Sequence, residues 1–258
     1  MSTLSYWNNR QQREEKNRHY GVVVGIVTNN KDDSGAYRVK VRFPWLQNGD
    51  ESGSASEESD WCRVTTFMAG KGMGFNCLPE VGDEVLVAFE HGDFMRPYVV
   101  GSLWNKTDAP ILDNKGGKNN SRSWKTRCGH ELTFYDDKDG SKNSILLQSK
   151  GGAKIFIDDD KKTVMIYDQS GKNTVTIDSQ NNKVDVVGED KLNITTKGDY
   201  TIDCDNLIIK TKSDMKCTVK GNLAMKVTSK AEVKSDGAMN LQSGGDMTIK
   251  GGPNVNIN

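Results

Sequence analysis

From about Asn182 to Asn258 the chain repeats itself every eight residues. Apolar residues come in pairs one residue apart: Val184/Val186, Leu192/Ile194, Tyr200/Ile202, Leu207/Ile209, Met215/Cys217, Leu223/Met225, Ala231/Val233, Met239/Leu241, Met247/Ile249 and Val255/Ile257. Each pair starts eight residues after the last, apart from one seven-residue step between Tyr200 and Leu207. Two residues before each pair stands a small or turn-forming residue, such as Asp190, Gly198, Asp205, Ser213, Gly221 or Gly245. A repeat this long dictates architecture before any other feature is weighed. Side chains alternate across a strand, so both members of a pair share one side. The residues between them are mostly polar, among them Asp185, Asn193, Thr201, Lys216, Glu232 and Asn256, and face the other way. Each octad reads as one short strand closed by a turn, where Gly, Asn and Asp tolerate positive φ.

The inner strip is only two apolar side chains wide per strand, too narrow for one chain to wrap a closed core. Burying a Val, Leu or Ile is worth roughly 1.5–3 kcal/mol. A monomer would leave the whole series wet, against a usual stability margin of about 5–15 kcal/mol. The repeat therefore predicts three copies winding together into an intertwined triple-stranded β-helix, a homotrimeric β-prism. A monomeric β-solenoid is the alternative. The expected trimer core is Val184, Val186, Leu192, Ile194, Leu207, Ile209, Leu223, Met225, Met239, Leu241, Met247 and Ile249. Interwound strands leave few free edges and make a stiff, thin shaft.

Lys plus Arg and Asp plus Glu both number 35, so net charge is zero. A nucleic-acid binder normally carries a basic excess. No apolar run approaches the length of a membrane span. The stretch MSTLSYWNNRQQREEKNRHY lacks the apolar core of a signal peptide. The Cys residues, Cys62, Cys77, Cys128, Cys204 and Cys217, are odd in number with no CxxC spacing. Reduced thiols and assembly in a cytoplasm are expected, with exit by a route other than a signal peptide.

Residues 1–20 read as a polar arm with an aromatic pair, Tyr6 and Trp7, as a candidate anchor on a partner. From Gly21 the pattern turns to short strands: Gly21–Thr28, a strictly alternating Ala36–Phe43, Trp61–Phe67, Glu84–Phe89 and Pro97–Leu103. Short strands with Gly, Pro and Asp turns predict a small barrel. The Ser/Glu/Gly-rich insertion Gln47–Asp60 reads as an exposed loop.

Several motifs in this stretch resemble a known family. They are Phe43-Pro44-Trp45, Trp61-x-Arg63-Val64, Ala69-Gly70-Lys71-Gly72-Met73-Gly74-Phe75, Pro79-x-Val81-Gly82-Asp83-Glu84-Val85, Gly92-Asp93-x-x-Arg96-Pro97 and Gly101-Ser102-Leu103-Trp104-Asn105. In this order they resemble the oligonucleotide/oligosaccharide-binding (OB) barrel of VgrG spikes and of phage baseplate assembly protein V. Lys125-Thr126-Arg127, Gly129-His130-Glu131-Leu132-Thr133-Phe134 and Asp136-Asp137-Lys138-Asp139-Gly140 resemble the connector after that barrel. The resemblance implies an all-β chain. It would comprise an arm (1–20), a five-stranded OB barrel (21–108), a connector with a β-hairpin (109–150) and an octad-repeat triple-stranded β-helix (151–258). It also implies the membrane-puncturing spike of a contractile injection system: a phage tail, a tailocin, an extracellular injection particle or a type VI-like machine. VgrG proteins carry a large hub region before the barrel. Here that stretch is about twenty residues, so the hub is expected to be a separate protein, docked through Tyr6 and Trp7.

The last octad, Pro253, Asn254, Val255, Asn256, Ile257 and Asn258, carries no apex of closely spaced His residues. Its apolar end is expected to dock a PAAR-type tip protein. The inner tube, effector cargo and the target cell envelope complete the expected contacts. No catalytic residue, cofactor or metal site is expected. Gly70–Gly74 lacks phosphate-loop spacing. Glu84, Glu90 and Asp93 sit inside barrel motifs rather than as a catalytic pair. Asp136–Gly140 and Asp158–Asp160 lack the calcium-loop spacing, and Asp139-Gly140 fits a hairpin turn. A glycan-binding or glycan-cleaving tail protein is the alternative function. It requires exposed aromatics or clustered carboxylates on the barrel or shaft.

Overall fold

The computed structural model describes residues 18–46, 58–140, 142–252 and 255. Alternating valines build its first layer. Strands β1 (Val22–Asn29), β2 (Arg38–Arg42) and β3 (Cys62–Val64) are followed by two short strands, β4 (Ala69–Gly70) and β5 (Met73–Gly74). Next come β6 (Glu84–Phe89), a 3-10 turn at Glu90–Gly92 and β7 (Pro97–Ser102). The strands β1-β2-β3-β7-β6 close into a barrel. Its only parallel pair is β3 with β7, and every other barrel pairing is antiparallel. This is the five-stranded closed barrel that the sequence predicts.

Period-two alternation decides what the barrel buries. Val39 and Val41 of β2 point inward, where they meet Val27, Phe43, Cys62, Val85, Val87, Phe89 and Val99. Arg38, Lys40 and Arg42 alternate with them on the outside. At Gly25 of β1 a Cβ would overlap Cγ1 of Val41, so the close approach of β1 to β2 requires glycine there. Cys62 lies fully buried with its Sγ 3.1 Å from Oγ of Ser59. Burial pushes its thiol up to about 11.

Residues 47–57 of the Ser/Glu/Gly-rich insertion lie outside the described residues. Ser59, at its end, departs from the expected exposure. It is buried because its Oγ accepts the Val41 N–H and donates to the Asp60 carbonyl. Glu58 reaches back to Lys40 at 3.0 Å. The expected strand Trp61–Phe67 shortens to Cys62–Val64, because the chain leaves the barrel after Thr65 and runs into the β4–β5 hairpin.

A second sheet follows. Strands β8 (Ser121–Lys125), β9 (Glu131–Tyr135), β10 (Ser144–Gln148), β11 (Lys154–Asp158), β12 (Thr163–Tyr167), β13 (Thr174–Asp178) and β14 (Lys183–Val187) pair antiparallel, each with the next. Hairpin turns reverse the chain at positions of positive φ, including Gly129, Gly140, Gly152, Lys162, Gly171 and Asn182. Asp168 pins the β12–β13 turn. Its carboxylate accepts the Asn173 side chain, the Ser170 hydroxyl and the Lys172 and Asn173 N–H groups. Those hydrogen bonds hold its carboxyl down at about 2.

The expected division at residue 151 falls inside this ladder, which runs unbroken from β8 to β14. Val184 and Val186, read as the first octad pair, belong to β14. Residues 194–258 form a unit of their own. Among its described residues no strand pairing occurs. The backbone instead bends at 197–198, 205, 212–213, 220–221, 228–229, 236–237, 244–245 and 252. These bends fall on or beside the turn residues of the octad, and the single seven-residue step appears as the bend at Asp205.

Candidate self-assembly surface

The register of the ladder sorts its side chains into two faces. Directly paired residues share a face in an antiparallel sheet. One row on the first face is Trp124, Leu132, Leu147, Ile155, Ile166, Val175 and Val186. The second row on that face is Arg122, Phe134, Ile145, Ile157, Val164, Ile177 and Val184. All but Arg122 are apolar, and Arg122 turns to Asp136 at 2.8 Å. The opposite face carries Ser123, Thr133, Glu131, Gln148, Lys154, Asp178 and Lys183, with a narrower apolar stripe of Leu146, Phe156 and Met165.

A sheet with one oily face must bury it against another layer. Here that face stays open. Ile155, Ile166 and Ile177 are each more than 40% exposed, as are Trp124 and Leu147 at its start. These rows show no fixed period in the sequence, because their apolar pairs are spaced by irregular hairpin steps rather than by eight. The alternation in ILLQ, KIFID, TVMIY and TVTID was the available signal.

The predicted core residues of the octad behave alike. Val184, Val186, Leu192, Ile194, Leu207, Ile209, Leu223, Met225, Met239, Leu241, Met247 and Ile249 are all exposed in the single chain, from 48% for Met239 to 83% for Met225. The structure brings Val184 and Val186 onto the ladder face. The remaining residues line a segment with no in-chain strand partner among the described residues. Of the expected tip-docking residues, Val255 is described and half exposed. Pro253, Asn254, Asn256, Ile257 and Asn258 lie outside the described residues, as do Tyr6 and Trp7.

Barrel and ladder meet on the same side as the apolar rows. Phe75, just after β5, packs on Trp124 of β8 with ring centroids 4.9 Å apart. Arg127 in the β8–β9 turn reaches Glu80 of the barrel at 2.9 Å. At the far end of the barrel the His19 ring sits against Trp45, Phe89 and Phe94. Its backbone N–H donates to the Gly92 carbonyl at 2.9 Å.

The carboxylates weighed as catalytic candidates have structural partners. Glu84 accepts from Asn105 at 3.1 Å. Glu90 accepts from Tyr98 at 3.1 Å and faces Arg96, while Asp93 accepts the Met95 N–H. Asp137 and Asp158 accept backbone N–H groups of Asp139 and Lys161 within their own turns. The Gly70–Gly74 stretch is the β4–β5 hairpin, with Gly72 at φ +70°. On the outer barrel wall Arg38 and Lys40 flank the Trp61 ring, and each cation is matched by an acid, Asp32 and Glu58. The Arg38 guanidinium holds the Asp32 carboxyl well below the usual carboxylate range. Such a self-neutralised wall offers little to a polyanion.

Residues 23–104 match the family model described as the type VI secretion system/phage-baseplate injector OB domain. The chain is 31% identical over 164 residues, 61% of its length, to the actin cross-linking toxin VgrG1 of Vibrio cholerae serotype O1 strain O395. It is 33% identical over 136 residues to the type VI secretion system spike protein VgrG3 of Vibrio cholerae strain N16961, and 33% over 123 residues to the spike protein VgrG1c of Pseudomonas aeruginosa PAO1. These matches cover 51% and 46% of the chain. The chain spans only 14%, 13% and 15% of the length of these three relatives. The closed barrel, the ladder docked on it and these likenesses together show a chain that carries the injector OB domain of the VgrG and phage-baseplate spike family.

Proposed function

We propose that three copies of this chain assemble into the rigid spike of a contractile injection system, and that the spike works by mechanical penetration. The carrying observation is the octad. Its bends fall at the predicted positions and its apolar pairs lie bare, yet the chain supplies no strand to pair with them among the described residues. Unpaired backbone and exposed apolar pairs both call for further strands. Two more copies supply them with the same period, and the bare apolar face of the ladder calls for a covering layer of its own.

In this reading each copy contributes one strand in turn to each wall of the shaft. Stiffness follows from a continuous ladder, and force passes from the barrel to the shaft. The partners it calls for are a baseplate hub, a PAAR-type tip protein and the tube or cargo of the machine. The actin cross-linking for which the Vibrio relative is named is said of that protein alone.

The test is solution mass. Light scattering on the purified full chain is expected to give three times 28.6 kDa. A stable, folded particle of single-chain mass would overturn the proposal. The mechanical role is checked in the producing cell. Removing this chain should leave sheath and tube components expressed but abolish contraction-dependent injury of target cells.

A further inference from the structure

The β4–β5 hairpin projects from the barrel and is oily where a protruding loop should be polar. Phe67, just before it, is 96% exposed. Met68 and Met73 are also exposed, at 50% and 63%. The hairpin is nonetheless built to hold its shape. The Phe75 N–H donates to the Met68 carbonyl at 2.9 Å, and the Thr66 hydroxyl donates to the Phe75 carbonyl. A Cβ at Gly74 would press within 3.1 Å of that Met68 carbonyl. Phe67 packs edge-on against Phe75 at 5.6 Å, and Phe75 packs on Trp124 at 4.9 Å.

Trp124 is the first side chain of an apolar row on the bare ladder face. The aromatic chain Phe67–Phe75–Trp124 is therefore continuous with that face and lies on the same side. We propose that the β4–β5 finger of one copy packs on the neighbouring copy of this chain, so that self-association reaches from the shaft up to the barrels. The occupant follows from this continuity: a surface contiguous with a seam between copies is covered by the same neighbour. Around a three-fold axis such a head-to-tail contact closes on itself. The finger then fixes how each barrel is turned about the axis, which the shaft alone leaves to a single connection per copy. This inference rests on the assembly proposed above.

Its test replaces Phe67 with the photo-reactive analogue p-benzoylphenylalanine in the full chain. Solution mass and irradiated products are read on the same sample. A three-chain mass with covalent adducts between copies is the expected result. A three-chain mass with adducts only within one chain, or with none, overturns the finger contact and leaves the assembly standing. A single-chain mass overturns both.

The unsubstituted protein gives an independent reading through methionine oxidation by peroxide. Met95, 67% exposed on the barrel, is the internal reference for Met68 and Met73. Oxidation of Met68 and Met73 several-fold slower than that of Met95 is expected, and equal rates would overturn the contact.

Discussion

Gly25 and Cys62 show how tightly single positions are set inside the barrel. Any side chain at Gly25 enters the space of Val41, which is fully buried in β2. Gly25→Ala should therefore destabilise the barrel by about 1–3 kcal/mol, as overpacking does. The measurement is the denaturant midpoint followed by Trp45 and Trp61 fluorescence. A change below a few tenths of a kcal/mol would show that β1 and β2 separate freely. Cys62 has a titration consequence. Burial raises its thiol from the ordinary value near 9 to about 11, so the folded chain holds the proton more tightly than the unfolded one. Its contribution is fully present below pH 9 and is lost as pH rises from 9 to 11. A Cys62→Ala variant should lose the part of the alkaline destabilisation that falls in that window. The measurement is barrel stability against pH, and an unchanged slope there would contradict the assignment.

At the scale of elements, the ladder and the octad share an apolar alternation at two spacings. In the ladder it forms strands with an apolar side, and turn residues at positive φ reverse the chain, whereas the octad shows bends and no strand among its described residues. The ladder pairs its strands with one another and leaves an apolar face and its two edge strands, β8 and β14, uncovered among the described residues. The octad shows no strand pairing among its described residues and leaves its apolar pairs bare. Ile166 separates a bare face from a buried one. It lies in the middle of the apolar row and is 47% exposed in the single chain. Ile166→Ala should lower the thermal stability of the assembled protein by about 2–5 kcal/mol per chain, the cost of emptying a packed site. If the face is solvated in the native particle, the loss stays well under 1 kcal/mol and thermal denaturation distinguishes the two.

For the whole molecule, assembly also changes which thiols react. Cys77, Cys128 and Cys217 are all exposed in the single chain. Cys217 shares an octad pair with Met215, on the side that three wound copies would bury. Brief alkylation of the native protein followed by peptide mass spectrometry should modify Cys128 and spare Cys217. Unfolding should make the two equal. Equal labelling in the native state would mean that the octad side carrying Cys217 faces water.

The barrel strands were legible because alternation in RVKVR and EVLVAF leaves one arrangement that buries the valines. The octad turns were legible because a fixed spacing of small residues is itself a statement about where the chain bends. Much else was not. The ladder from β11 to β14 hid behind hairpin steps of unequal length, and Ser59 looked like loop until the Val41 N–H required an acceptor. The approach of Phe75 to Trp124 joins residues distant in sequence that no local period links. Sequence by itself determined the all-β class, the inside and outside of each barrel strand and the places where the octad segment bends, because these depend on neighbours two to eight residues away. Only the tertiary structure decided that the apolar rows merge into one open face and that the β4–β5 finger lies beside it, because those facts depend on which distant strands pair and on what no other part of the described chain covers.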